Sequence, residues 1–212
     1  MRRLLTICVL GAALFFYLPV ADATTVDFGI FTANGSYYND PGLNFYASVS
    51  QVADQQVNIQ FYNASLVESA ITRIYFDNGP LLDITNIEAG SDVQFHQETH
   101  PYELPGRQLL EPIFEADSQL TVSADVPAPH NGINPGQWLG LTFSLKADNT
   151  FSDVVGDLHS GALRIGMHIM GLPDGSSESA ANAAIHSVPE PATIIMLGLG
   201  SSILLVRRRE NK

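Results

Sequence analysis

The chain has 212 residues, 45% of them hydrophobic, a single cysteine, and ten Lys and Arg against 22 Asp and Glu, for a formal net charge of −12. That balance excludes a nucleic-acid binder and a protein drawn to anionic lipid, since both need clustered Lys and Arg. One cysteine excludes a disulfide framework, so a folded domain has to rest on its core alone.

Read from the N-terminus, Arg2 and Arg3 form a charged segment, 4–18 an apolar one, and Ala21-Asp22-Ala23 an A-x-A processing site. This is the pattern of a secretory signal peptide over 1–23, removed by signal peptidase, with a mature chain beginning near Thr24. Cys8 lies inside the leader and leaves with it. The stretch 24–187 is long enough for one domain with a sizeable core. It holds four basic residues (Arg73, Arg107, Lys146 and Arg164) against nineteen acidic ones, a net charge of −15. Such a surface suits solubility, cation uptake or hydrated polysaccharide surroundings.

Period-two alternation dominates this stretch. It predicts strands at 25–31, 43–49, 57–61, 71–76, 82–87, 92–95, 120–124, 139–146 and 163–170. In 57–61, for example, Val57, Ile59 and Phe61 share one face while Asn58 and Gln60 take the other. Turn residues separate the strands: Asn34-Gly35, Asp40-Pro41-Gly42, Asn78-Gly79-Pro80, Asn131-Gly132 and Asn134-Pro135-Gly136. Strands with one apolar face each call for two sheets packed face to face. The predicted class is all-β, a two-sheet antiparallel β-sandwich of jelly-roll or Ig-like topology over 24–172. Segment 101–112, with three prolines, predicts a long loop. A short helix is predicted over 151–159, with Ser152 as N-cap and Val155 and Leu158 facing inward. Segment 173–187 is small and polar, and reads as a tether or a last strand.

Several clusters invite a chemical reading. On a strand, His96, Glu98 and His100 would share a face and offer two imidazoles and a carboxylate to a metal, although this is not the helical H-E-x-x-H pattern. Asp77-Asn78-Gly79 with Asp83, and Asp148-Asn149 with Asp153, place oxygen ligands in turns, as calcium requires, without the spacing of a calcium loop. Glu98, Glu103, Glu111 and Glu115 gather around the long loop, where a glycoside hydrolase would need two carboxylates in a cleft. No G-x-S-x-G elbow or phosphate-binding glycine loop occurs in 24–187. Tyr37, Tyr38, Tyr46, Tyr62, Tyr75, Tyr102 and Trp138 offer stacking surfaces for sugar rings if several line one face; cross-strand packing explains aromatics equally well. The expectation is a domain without catalysis or a resident cofactor. Its alternatives are a polysaccharide hydrolase using acids of 96–115 and a calcium-dependent binding module.

The C-terminal segment 188–212 has three parts in order: Val188-Pro189-Glu190-Pro191, an uncharged apolar stretch 192–206, and Arg207-Arg208-Arg209 within the basic tail 207–212. Fifteen helical residues span about 22 Å, short of a ~30 Å hydrocarbon core, so the predicted transmembrane helix needs snorkelling arginines or local thinning. The arginines anchor the cytoplasmic side and leave the Pro-Glu-Pro tripeptide at the outer face. These residues resemble the sorting signal of PEP-CTERM proteins. That resemblance implies recognition by an exosortase, a membrane-embedded transpeptidase-like enzyme. It also implies a precursor held transiently in the inner membrane of a Gram-negative-type bacterium, then delivery to the cell surface or extracellular matrix. Ser69–Asp77, 131–136 and 162–171, followed by Ser177-Glu178-Ser179, resemble an exported β-rich domain recurrent in that family, without an assigned reaction. The implied role is structural, adhesive or associated with exopolysaccharide.

Overall fold

The computed structural model describes residues 23–77, 79–100 and 102–182. Of the predicted leader, only Ala23 falls among them. The processing motif Val188–Pro191, the apolar stretch 192–206 and Arg207 to Arg209 all lie outside. Among the described residues no helix is long and apolar enough to cross a membrane.

Among the described residues eleven strands form two antiparallel sheets, a β-sandwich. One sheet contains β1 (Thr24–Asp27), β3 (Phe45–Ala53), β4 (Gln56–Asn63), β6 (Leu81–Ala89) and β9 (Trp138–Leu145), in the order β1-β3-β4-β9-β6. The other contains β2 (Gly29–Ile30), β5 (Ala70–Asp77), β7 (Phe95–Gln97), β8 (Val122–Ala124), β10 (Arg164–Met170) and β11 (Glu178–Ala181), in the order β2-β11-β10-β5-β8-β7. The single strand predicted at 25–31 is two strands in different sheets. The chain crosses at Phe28, whose side chain enters the core against Phe61 while its N–H donates to Phe45 O. Within 173–187, Glu178–Ala181 is a strand between β2 and β10, so the sandwich extends beyond residue 172.

The core lies between the sheets. Phe76 of β5 meets Phe143 of β9 edge-on at 4.9 Å and Phe61 of β4 at 6.2 Å, and Val57, Ile59, Leu139, Leu141, Ile165, Met167 and Ile169 are fully buried around them. Burying a Val, Leu, Ile or Phe side chain stabilises by roughly 1.5–3 kcal/mol, which is how a cysteine-free domain holds together. A smaller apolar cluster lies on the far side of the six-stranded sheet, where Leu104, Leu110 and Phe114 of the long loop pack on Tyr75 and Ala181. That sheet is therefore covered on both faces, and β5 and β11 are buried along nearly their whole lengths. The five-stranded sheet keeps one face in water, which accounts for the regular alternation of β4 and β9.

The helix forms at α2 (Phe151–Ser160), with its cap two residues earlier than the predicted Ser152. Thr150 is the N-cap, in a capping box with Asp153, and Val154 rather than Val155 is buried with Leu158. A four-residue helix, α1 (Ala128–Asn131), precedes the Asn131-Gly132 turn, and a 3-10 turn at Arg107–Leu109 interrupts the long loop.

Candidate functional site

The His96–His100 cluster does not converge. Strand β7 ends at Gln97, His96 Nδ1 lies 2.6 Å from Asp125 Oδ1, and its Nε2 is 3.9 Å from Glu98 Oε1. His100 instead pairs with the hydroxyl of its neighbour Thr99 at 3.2 Å. Among the described residues no three His, Cys, Asp or Glu side chains are placed to hold a metal ion. One carboxylate of each turn candidate is engaged elsewhere. Asp77 is buried in an ion pair with Arg164 and accepts the Glu115 N–H at 2.8 Å. Asp153 accepts from Thr150 N–H at 2.8 Å and Thr150 Oγ1 at 2.7 Å.

The long loop brings Glu103 and Glu115 into one groove of about 370 Å³ with Tyr102, Arg107 and Ala116. Glu103 is 72% exposed and ion-paired with Arg107 at 2.8 Å, and Glu115 is exposed as well. Glu98 lines a second groove of about 510 Å³ with Asp83, Gln97, Thr99, Ser118 and Gln119. Glu111 is exposed, and neither groove contains it.

Beside these grooves, on the loop-covered face of the six-stranded sheet, the register aligns His96, Ser123, Arg73, His168 and Ser179. Arg73 Nε donates to Ser123 Oγ at 2.9 Å, and the Tyr102 ring lies 4.1 Å from the guanidinium. His168 has its pKa lowered to about 4, first by burial and then by the Arg73 charge, so it is neutral at pH 7. The Tyr75 and Ser179 hydroxyls are buried with no hydrogen-bond partner among the described residues. Burial raises the pKa of the Tyr75 phenol against the opposing pull of Arg73.

The solvated face of the five-stranded sheet has a different chemistry. Pairing of β3 with β4 and of β4 with β9 sets Tyr46 opposite Tyr62 and Tyr62 opposite Trp138. Three aromatics thus form one row across three strands, about 10 Å from first to last at ~4.8 Å per strand. The Tyr46 and Tyr62 rings stack at 4.7 Å with planes 14° apart. Trp138 lies over two glycines. A Cβ at Gly90 would sit 3.2 Å from its Nε1, and one at Gly140 3.7 Å from its Cζ3. Opposite ends of the indole thus lie beside two positions that carry no Cβ, and a side chain at Gly90 would crowd the ring. Behind the aromatic row come Ser48, Gln60 and Gly140, then Ser50, Asn58 and Thr142, where Asn58 Nδ2 donates to Thr142 Oγ1 at 3.2 Å. The sequence placed Asn58 and Gln60 on the face opposite Val57, Ile59 and Phe61. It contained no signal that Tyr46, Tyr62 and Trp138 are cross-strand neighbours, because register is a tertiary property. The remaining aromatics are dispersed: Tyr75 is in the core under the loop, Tyr102 covers Arg73, and Tyr37 and Tyr38 lie in the turn after Asn34.

The stretches Ser69–Asp77, 131–136 and 162–171, with Glu178 close behind, meet in space. Strand β5 pairs with β10, Ile71 bridges Ile133, and Glu178 opens β11 beside β10. Glu178 is fully buried and accepts from Thr32 Oγ1 at 2.5 Å and from the N–H groups of Asn34 and Gly35 at 2.8 Å each. Next to it, Asp174 receives hydrogen bonds from Ser176 and Ser36, which hold its pKa well below the ordinary carboxylate value. The two carboxylates clasp the 32–36 turn to the last strand.

Among known protein families, residues 187–209 match the PEP-CTERM protein-sorting motif. The chain carries this sorting signal and is an exported, membrane-passing protein targeted to an exosortase. No curated protein and no solved structure matches it.

Proposed function

We propose that this protein is a non-catalytic component of the cell surface or extracellular matrix, with a structural or adhesive role in association with exopolysaccharide. In this reading signal peptidase removes 1–23, the 192–206 helix holds the precursor in the inner membrane, and exosortase processes it near Pro189-Glu190-Pro191. The observation that carries the polysaccharide association is the Tyr46–Tyr62–Trp138 row beside a field of amides and hydroxyls. Aromatic faces and convergent amides are the groups that meet sugar rings and their hydroxyls. The hydrolase alternative draws on Glu103 and Glu115 in one groove, but both stand in solvent, whereas a glycosidase general acid takes its character from burial.

Cell fractionation tests the reading. The wild-type protein should leave the inner membrane and sediment with the exopolysaccharide, and digestion of that polysaccharide should release it. Pro189→Ala/Pro191→Ala should leave full-length protein in the inner membrane. Unaltered release of that variant would refute the sorting step, and sedimentation insensitive to polysaccharide digestion would refute the association.

A further inference from the structure

We infer that the solvated face of the five-stranded sheet is a binding surface for a neutral polysaccharide, with Trp138 and Tyr62 as stacking platforms and Gln60, Asn58 and Thr142 as hydrogen-bonding groups. This deepens the polysaccharide reading above and rests on it.

The argument starts from charge. In a domain with nineteen acids, the three central strands of this face carry no ionised side chain in their outward rows, only aromatic, amide, hydroxyl and glycine positions. Acidic residues stand at its rims instead. Asp27 of β1 is opposite Tyr46, while Glu88 and Asp83 of β6 are opposite Gly140 and Ser144. Of the four basic residues, none serves this face: Arg164 is buried against Asp77, Arg107 pairs with Glu103, Lys146 donates to Gly79 O, and Arg73 lies under Tyr102 on the other sheet. A uronate or sulfated chain lying here would meet rim carboxylates at well under the ~8 Å Debye length of physiological salt, with no cation to receive it. A neutral sugar meets no such penalty. Its apolar ring face can stack on the Trp138 ring, beside which Gly90 and Gly140 leave bare backbone, and its hydroxyls find both donors and acceptors in the amides.

Affinity electrophoresis of the purified full chain in mild detergent tests this, with native gels cast with a neutral glucan, a polyuronate or a deacetylated amino glycan. The neutral glucan should retard the protein. Trp138→Ala should raise the apparent Kd about tenfold or more, the loss of about one stacking contact together with its buried area. Gln60→Ala, with no core contact to lose, should weaken retardation severalfold at unchanged Tm, so the assignment stays testable if Trp138→Ala folds poorly. Retardation unaffected by either variant would overturn the site. Preferential binding of the polyuronate or the amino glycan would overturn neutrality while leaving the polysaccharide reading standing, and retardation by none of the three would overturn both.

Discussion

Truncating Arg164 to alanine probes the one ion pair among the described residues that is buried on both sides. Its guanidinium holds Asp77 and also donates to the carbonyls of Pro112 and Ile113, the latter at 2.8 Å, and it lies 5.3 Å from the Phe114 ring. It is therefore the pin that holds the long loop to β5 and β10. Removing it leaves Asp77, about 1% exposed, with the Glu115 N–H but without its cation, and it orphans two loop carbonyls. Losing one partner of a buried pair costs about 3–5 kcal/mol. For a domain of this size each kcal/mol lowers Tm by about 2–4 °C, so Arg164→Ala should melt about 6–20 °C below wild type. The loop should also become more sensitive to trypsin at Arg107. Because most of that loss is an uncompensated buried charge rather than a missing attraction, Asp77→Leu/Arg164→Met should recover most of the lost Tm. Differential scanning calorimetry of the three proteins decides it. A cost under about 1 kcal/mol for the single variant, or a double variant no better than the single, would refute the reasoning.

Other expectations follow from the same packing. Asp174, held below the ordinary carboxylate value by Ser176 and Ser36, contributes stability that is present above an unfolded pKa of about 4 and is lost as pH falls through the folded value. The Tm gap between wild type and Asp174→Asn should therefore narrow as pH drops below about 4; a gap constant from pH 7 to pH 2 would contradict this. Gly166→Ala puts a Cβ 2.6 Å from Leu104 Cδ2 and 3.3 Å from Phe114 Cζ beneath the loop, and should cost about 1–3 kcal/mol in urea unfolding. Gly156→Ala, inside α2 with nothing within 4 Å of the new Cβ, should stabilise by about 0.5–1 kcal/mol in the same assay.

Much of the fold was legible because its signals are local. Alternation in 57–61 and 139–146 located β4 and β9, and the outward direction of Asn58 and Gln60 followed from the same two-residue period. Where local signals competed, the reading slipped by small amounts. Ser152 and Thr150 are both good caps, and the choice fell to Thr150 because Asp153 stands three residues after it to close the capping box. Phe28 sits in an unbroken apolar alternation, so nothing local announced that the chain changes sheets there.

What the sequence by itself determined is the class and the sorting signal: a two-residue alternation that makes the domain all-β, and a terminal motif at 187–209 that marks the chain for export and exosortase handling. These are short-range patterns, read by enzymes or by the pleat directly, and they need no fold to be recognised. Tertiary structure alone decided which residues act together. It set His96, His100, Asp77 and Asp153 into separate pairs and caps, and it carried Arg164 to Asp77 across 87 positions. It also aligned Tyr46, Tyr62 and Trp138 on one face. The reason is that alternation fixes which way a side chain points, whereas register and strand order fix what stands beside it, and those are set by the packing of the whole sandwich.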